Sequence, residues 1–132
     1  MDERPTVLVV EDQPLIGLTV QEGLEEAGYQ VLLEETLAQA LHELEAASTR
    51  LSALVTDIRL EGETDGWDLA RRARELHPSL PVVYMSGDSA VDHSSKGVPN
   101  SIMVQKPFAA AQIVTAISTL LNKLTPTDQS AN

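Results

Sequence analysis

Apolar residues along the chain fall into two alternating rhythms. Val7-Leu8-Val9-Val10 is an unbroken run, mostly β-branched, which is how a strand covered on both faces of a parallel sheet reads. Ala53-Leu54-Val55-Thr56, Val82-Val83-Tyr84-Met85 and Ile102-Met103-Val104 repeat it, and Tyr29 to Leu33 supplies a weaker fifth strand. Between these runs the period lengthens to that of a helix. Leu15, Leu18, Thr19, Gly23 and Leu24 share one helical face, closed by Gly28 as a left-handed stop. Thr36 as N-cap with Gln39 three residues on forms a capping box that opens a second helix, with Leu37, Ala40, Leu41 and Leu44 turned inward. A third helix runs from about Asp65 to Leu76 and stops before Pro78. The last runs from Ala110 to Leu124 with Ile113, Ala116, Ile117, Leu120 and Leu121 on one stripe, ending near Pro126. The Ser-rich stretch from Ser89 to Lys96 offers little apolar face, so the element there is expected to be short or mobile.

Alternation of buried strands with helices predicts right-handed crossovers and an α/β sheet with helices on both faces. In such sheets ligands sit beyond the carboxyl ends of the strands, where the strand order reverses. The residues at those ends therefore carry the functional question.

Length leaves room for one domain: of 132 residues, 1–125 are assigned to it and 126–132 to a flexible tail. Nine basic against twenty acidic residues give a net charge of −11, which opposes nucleic acid and anionic lipid as partners through any broad basic surface. No apolar stretch approaches the roughly 20 residues that span a bilayer. The acidic start Met1-Asp2-Glu3-Arg4-Pro5 lacks the basic flank of a secretory signal, so the expected location is cytoplasmic. With no cysteine, any metal must be held by oxygen or imidazole. The three histidines, at 42, 77 and 93, are scattered and read as surface residues, and Trp67 reads as a partly buried anchor.

At the strand ends stand Glu11-Asp12, Asp57, Ser86 and Lys106-Pro107. Three carboxylates brought to one rim repel one another unless a cation or a lysine neutralises them. Hard oxygen ligands without soft partners favour Mg²⁺, which takes one or two carboxylates and completes its octahedron with water and phosphate oxygens. Lys106 supplies the remaining positive charge. The set suits phosphoryl transfer, with Asp57 as nucleophile and the metal, the Ser86 hydroxyl and the Lys106 ammonium each binding one phosphoryl oxygen. Singly each residue has a plainer reading. Asp12 caps the first helix ahead of Pro14, Asp57 and Ser86-Gly87-Asp88 mark turns, and Lys106 is a solvated strand end. Their joint occurrence at four strand ends is what those readings leave unexplained.

From Thr6 to Leu124 the chain resembles the receiver domain of bacterial two-component response regulators, of the single-domain type. Receivers carry an acidic pair after the first strand, a phospho-accepting Asp after the third, a Ser or Thr after the fourth and a Lys-Pro after the fifth, here Glu11-Asp12, Asp57, Ser86 and Lys106-Pro107. The resemblance implies a flavodoxin-like (βα)5 fold of strand order 2-1-3-4-5. It also implies Mg²⁺ held by Glu11, Asp12, Asp57 and the backbone carbonyl of Arg59, and a cis bond before Pro107. Its implied donors are a histidine kinase or a histidine phosphotransfer protein, and its output passes to an unidentified protein through the fourth helix, fifth strand and fifth helix. Self-association is left open. On this reading the chain is no enzyme beyond assisting its own phosphorylation and dephosphorylation.

Three departures matter. Met103 stands where receivers usually carry an aromatic switch residue, three positions before the lysine, so the resemblance leaves open the usual coupling between that ring and the hydroxyl residue; a flexible thioether could substitute for it in part. The loop Ile58 to Gly66 lacks the usual proline and runs about one residue long, and Glu11 replaces the commoner Asp. Arg59 and Asp88 occupy positions that in the family tune phosphoryl loss, and are expected to pair across the site. The rival readings are a degenerate receiver that binds protein constitutively, a phosphate sink, and a flavin carrier on the same fold. The last wants a Gly-, Ser- or Thr-rich phosphate loop where Glu11-Asp12-Gln13-Pro14 stands.

Overall fold

The structure, a computed structural model, describes residues 4–46, 50–60, 65–88 and 90–123. Its five strands are β1 Thr6–Val10, β2 Gln30–Glu34, β3 Ala53–Asp57, β4 Val82–Ser86 and β5 Ser101–Gln105. All pair in parallel, in the order β2-β1-β3-β4-β5. The sheet is the flavodoxin-like one expected from the strand–helix alternation. β3 and β4 are buried at every position because helices cover both faces, which is why their sequences are apolar without alternation.

Side-chain alternation along the strands divides the core in two. Leu8, Val10, Leu54, Val82 and Tyr84 point to the face covered by α2 Leu37–Glu45 and α3 Asp65–Leu76. Val7, Val9, Val55, Val83 and Met85 point to the face covered by α1 Pro14–Glu26 and α5 Ala110–Lys123. Apolar burial of this extent, at about 25 cal/mol per Å², is what fixes the strand ends relative to one another.

Half of the capping box forms: the Gln39 N–H donates to Thr36 Oγ1 at 3.1 Å, while the Gln39 side chain accepts from the Glu35 N–H, one residue before the N-cap, at 3.2 Å. The inward stripes of α2 and α5 are those read from the sequence, with Leu37, Leu41 and Leu121 partly buried. α1 differs. Its buried residues are Gly17, Val20 and Leu24, whereas Leu15 and Leu18 are 80% and 47% exposed. The helix is apolar around much of its girth, and the sheet and α5 select the stripe through Val20. Gly23 faces Ala110 so closely that a Cβ there would lie 2.7 Å from the Ala110 Cβ.

Between β4 and β5 stand only a 3-10 turn, Ala90–Asp92, and a four-residue helix, α4 His93–Lys96. This matches the weak helical signal of that stretch. Gly28 has φ of 100°, the left-handed conformation that ends α1. Two histidines are less exposed than the sequence suggested. His77 Nε2 lies 3.1 Å from the Leu44 carbonyl and His93 Nε2 lies 2.8 Å from Ser101 Oγ, because each ring fills a seam between elements. Trp67 is almost wholly buried, its ring 4.8 Å from that of Tyr84. The expected tail at 126–132, the loop residues 61–64 and Ser89 lie outside the described residues.

Candidate functional site

Strand register brings the predicted residues together. Val10 pairs with Thr56, so the next residues, Glu11 and Asp57, leave the sheet side by side. Ser86 pairs with Gln105, and the Lys106 N–H donates to the Ser86 carbonyl at 2.7 Å. All sit at the carboxyl ends of β1, β3, β4 and β5, the rim the fold assigns to ligands.

Lys106 Nζ donates to Asp57 Oδ2 at 2.9 Å and to Glu11 Oε1 at 3.1 Å. Glu11 and Asp57 are nearly buried while the Lys106 side chain is 19% exposed. Burial pushes the Glu11 carboxyl up to about 7, and the Asp57 charge pushes the same way. The Gln13 N–H and Lys106 oppose it. Burial alone would lower the Lys106 ammonium, but its hydrogen bond to Asp57 and the charges of Asp57 and Glu11 raise it. The site thus holds more negative charge than one lysine balances.

Glu11, Asp12 and Asp57 each offer a carboxylate oxygen, and those atoms lie within 4.8 Å of one another. This donor set, oxygen only and already crowded, fits a hard divalent cation such as Mg²⁺. The position capping α1 is Gln13 rather than Asp12, and the Gln13 N–H donates to Glu11 Oε2 at 3.1 Å. Asp57 Oδ1 accepts from the Arg59 N–H at 3.3 Å. Ser86 Oγ accepts from the Asp88 N–H at 3.2 Å. Arg59 Nε and Asp88 Oδ2 pair at 3.1 Å, both largely exposed, and both residues line a cleft of about 420 Å³. That cleft is lined by Asp12, Gln13, Asp57, Arg59, Ser86 and Lys106 among others. The Lys106–Pro107 peptide is cis.

The family model of the response regulator receiver domain matches residues 7–118. The chain belongs to that family. Receivers are signalling domains rather than classical enzymes; phosphorylation and Mg²⁺ binding at an acidic pocket are features of the family. The receiver superposes on a response regulator receiver protein from Sinorhizobium medicae WSM419 with a TM-score of 0.86 at 41% identity, covering 91% of this chain and 96% of that one. It is 32% identical over 117 residues to the response regulator receiver protein CpdR of Brucella abortus, covering 87% and 95% of the two chains. It is 31% identical over 119 residues to the transcriptional activator protein IrlR of Burkholderia pseudomallei. That match covers 89% of this chain and 50% of IrlR, so the receiver spans about half the length of the transcriptional regulators it resembles. Among the described residues no helix is long and apolar enough to cross a membrane.

Two residues of the site's frame have no counterpart in the sequence reading. Gly66, at the start of α3, lies so close to Asp57 that a Cβ there would collide with the Asp57 carbonyl oxygen, and its N–H donates to the Ile58 carbonyl at 2.8 Å. Its signal was the Asp65-Gly66 pair opening a helix. Tyr84, fully buried on β4, accepts from the Val98 N–H at 3.0 Å. A tyrosine in an otherwise apolar buried strand requires such a partner.

Proposed function

We propose that the receiver accepts a phosphoryl group on Asp57 from a phosphohistidine of a histidine kinase or phosphotransfer protein. A carboxylate oxygen of Asp57 bonds to phosphorus as the donor's N–P bond breaks, leaving an acyl phosphate on this chain. The observation that carries the reading is the Lys106 ammonium shared between Asp57 and Glu11 beside Asp12. Lys106 and the Ser86 hydroxyl lie beside the acceptor to bind phosphoryl oxygens. Asp12, Asp57 and the Arg59 carbonyl would hold Mg²⁺, with Glu11 orienting its water. Bound there, Mg²⁺ would supply positive charge to offset that of the transferring group. The Arg59–Asp88 pair lines the cleft and limits the approach of water to the acyl phosphate.

The donor's helix is assigned to the groove lined by Leu15, Ile16, Thr19, Lys106, Pro107 and Phe108. The exposed Leu15 lines this groove, and the groove shares Lys106 with the acceptor cleft, so a helix seated there would bring its phosphohistidine to Asp57. Output passes to a second protein through β5 and α5, where the groove lined by Ile102, Met103, Val104 and Thr115 among others carries no charged residue. The match to CpdR over 95% of that protein supports a receiver that acts through protein contacts. The same reading implies a cytoplasmic protein. Intact-mass measurement after acetyl phosphate and Mg²⁺ tests it: one phosphoryl group should be gained by wild type and none by Asp57→Ala. Equal labelling of the two proteins would remove Asp57 as acceptor.

A further inference from the structure

The Gly97 N–H donates to the His93 carbonyl at 2.9 Å, and beyond it the segment joining α4 to β5 is held chiefly by side chains. Arg71 Nη2 donates to the Lys96 carbonyl at 3.2 Å, and Arg74 Nη1 and Nη2 donate to the carbonyls of Pro99 and Asn100 at 2.6 and 3.2 Å. Arg74 Nε also holds the Leu80 carbonyl at 2.6 Å, tying the segment to the start of β4. The Tyr84 hydroxyl accepts the Val98 N–H. Ser101 Oγ gives its proton to the Val98 carbonyl at 2.6 Å and so accepts from His93 Nε2, whose ring stands edge-on to Tyr84 at a centroid distance of 5.7 Å. Asn100 is held at φ of 59°. Gly97 to Asn100 precede the first rung of β5, Val82 with Ser101, so these side-chain bonds can change partners without opening the sheet.

Three of the clamping groups, Arg71, Arg74 and Tyr84, stand on elements that lead to the acceptor. α3 bears Arg71 and Arg74, and its first turn lies against the Asp57 and Ile58 backbone at Gly66. Tyr84 lies two residues before Ser86 on β4 and packs at a tilt of 56° against the ring of Trp67 on α3. Its strand partner is Met103, which packs against the same cluster as Tyr84 and Val98 but has no ring or hydroxyl of its own. A helix of twelve residues is about 18 Å long, so α3 spans from its contact with the Asp57 backbone to the two arginines.

We propose that α3 and Tyr84 together couple Asp57 to the 96–101 segment and the β5 face, with Arg71, Arg74 and Tyr84 as positioning residues. The inference rests on the reading of Asp57 as phospho-acceptor. Phosphorylation adds bulk and about −1.5 to −2 charge units at the rim. Two contacts pass this on: Gly66 against the acceptor backbone, and Tyr84 behind Ser86.

Contact does not by itself establish coupling, so the test measures transmission. Amide shifts of the full chain are followed on adding Mg²⁺ and then beryllofluoride, a phosphoryl mimic. In wild type, shifts are expected at 57–59 and 86–88 and again across 96–105. In Tyr84→Phe and in Arg74→Gln the first group should persist while the second falls to less than half its wild-type size. The exposed Arg71→Gln should lose the response at 96–98 in a protein whose fold is least disturbed. A purely structural role would lower the melting temperature of these variants yet leave the transmitted shifts at full size, and that result would overturn the proposal. Wild-type shifts confined to 57–59 and 86–88 would also overturn it while sparing Asp57 as acceptor. No shift anywhere would remove both.

Discussion

Lys106 Nζ and Asp57 Oδ2 lie 2.9 Å apart although 49 residues separate them in the chain. The same ammonium reaches Glu11 Oε1 at 3.1 Å, so one cation serves two nearly buried carboxylates. Removing one partner of a buried ion pair costs about 3–5 kcal/mol when the other stays charged. Lys106→Met should therefore lose about 3 kcal/mol of unfolding free energy at pH 8 in urea titrations. At pH 5 the loss should be smaller, because the Glu11 carboxyl can then stay neutral, and Mg²⁺ should restore part of it at pH 8. Equal stability of wild type and variant at pH 8 would mean the contact contributes nothing.

Glu11 sets a pH dependence of its own. Its folded pKa of about 7 stands above the ordinary value of 4.5, so the folded protein holds a proton that the unfolded chain releases. The resulting stability is fully present below about pH 4.5 and is lost as pH rises through about 7. Simple linkage puts the loss at up to about 3 kcal/mol. Melting temperature in EDTA should accordingly fall between pH 5 and 8, and Glu11→Gln should flatten that fall. A divalent cation favours the ionised carboxyl, so Mg²⁺ should both reduce the slope and bind more tightly at pH 8 than at pH 6. An unchanged slope in Glu11→Gln would assign the effect to another group.

Gly66 is fixed by the backbone behind Asp57, which cannot move aside as a side-chain end can. Gly66→Ala should cost about 1–3 kcal/mol by overpacking. It should also slow phosphorylation by acetyl phosphate, since the strain falls on the acceptor's own peptide. Gly87→Ala is the control for stability, because a Cβ there meets nothing within 4 Å. If both alanines cost the same, the close approach at Gly66 does not matter.

The strand ends were legible because parallel strands buried on both faces leave unbroken apolar runs, and the residue after each run must stand at the rim. That logic located Glu11, Asp57, Ser86 and Lys106 before any contact was known. The short α4 was legible for the opposite reason, a polar stretch with no face to bury. The phase of α1 was not. Leu15, Ile16, Leu18, Val20 and Leu24 support more than one stripe at helical spacing, and only packing against α5 chooses Val20 over Leu15 and Leu18. The clamp on residues 96–101 was equally hidden. Nothing in the sequence singles out Arg71 and Arg74, because the carbonyls they meet lie 25 residues further along the chain.

Arg59 and Asp88 approach at 3.1 Å with both side chains more than half exposed. Such a surface pair is worth at most about 1 kcal/mol, so Arg59→Ala should leave the unfolding midpoint nearly unchanged. Its effect should fall on the acyl phosphate. Opening the cleft to water should raise the autodephosphorylation rate several-fold, as followed by loss of phosphoryl mass after removal of the donor. Asp88→Ala should act in the same direction and the double variant should add little to either, because both remove one pair. Equal rates in wild type and Arg59→Ala would show that the pair does not guard the site.

The exposed leucines of α1 separate the donor's contact from the chemistry. Leu15 and Leu18 touch neither Asp57 nor Lys106 in any hydrogen bond or ion pair, and their exposure means that polar replacements should cost little stability. A helix carrying phosphohistidine would bury them on docking, and fully burying a leucine is worth about 1.5–3 kcal/mol. Leu15→Asp should therefore slow phosphotransfer from phosphorylated histidine kinases by at least tenfold, partly through lost burial and partly through a charge left desolvated. Acetyl phosphate needs no such surface and should label the variant at the wild-type rate. Equal slowing with both donors would place the defect in the acceptor site, and no slowing with either would move the docking face away from α1.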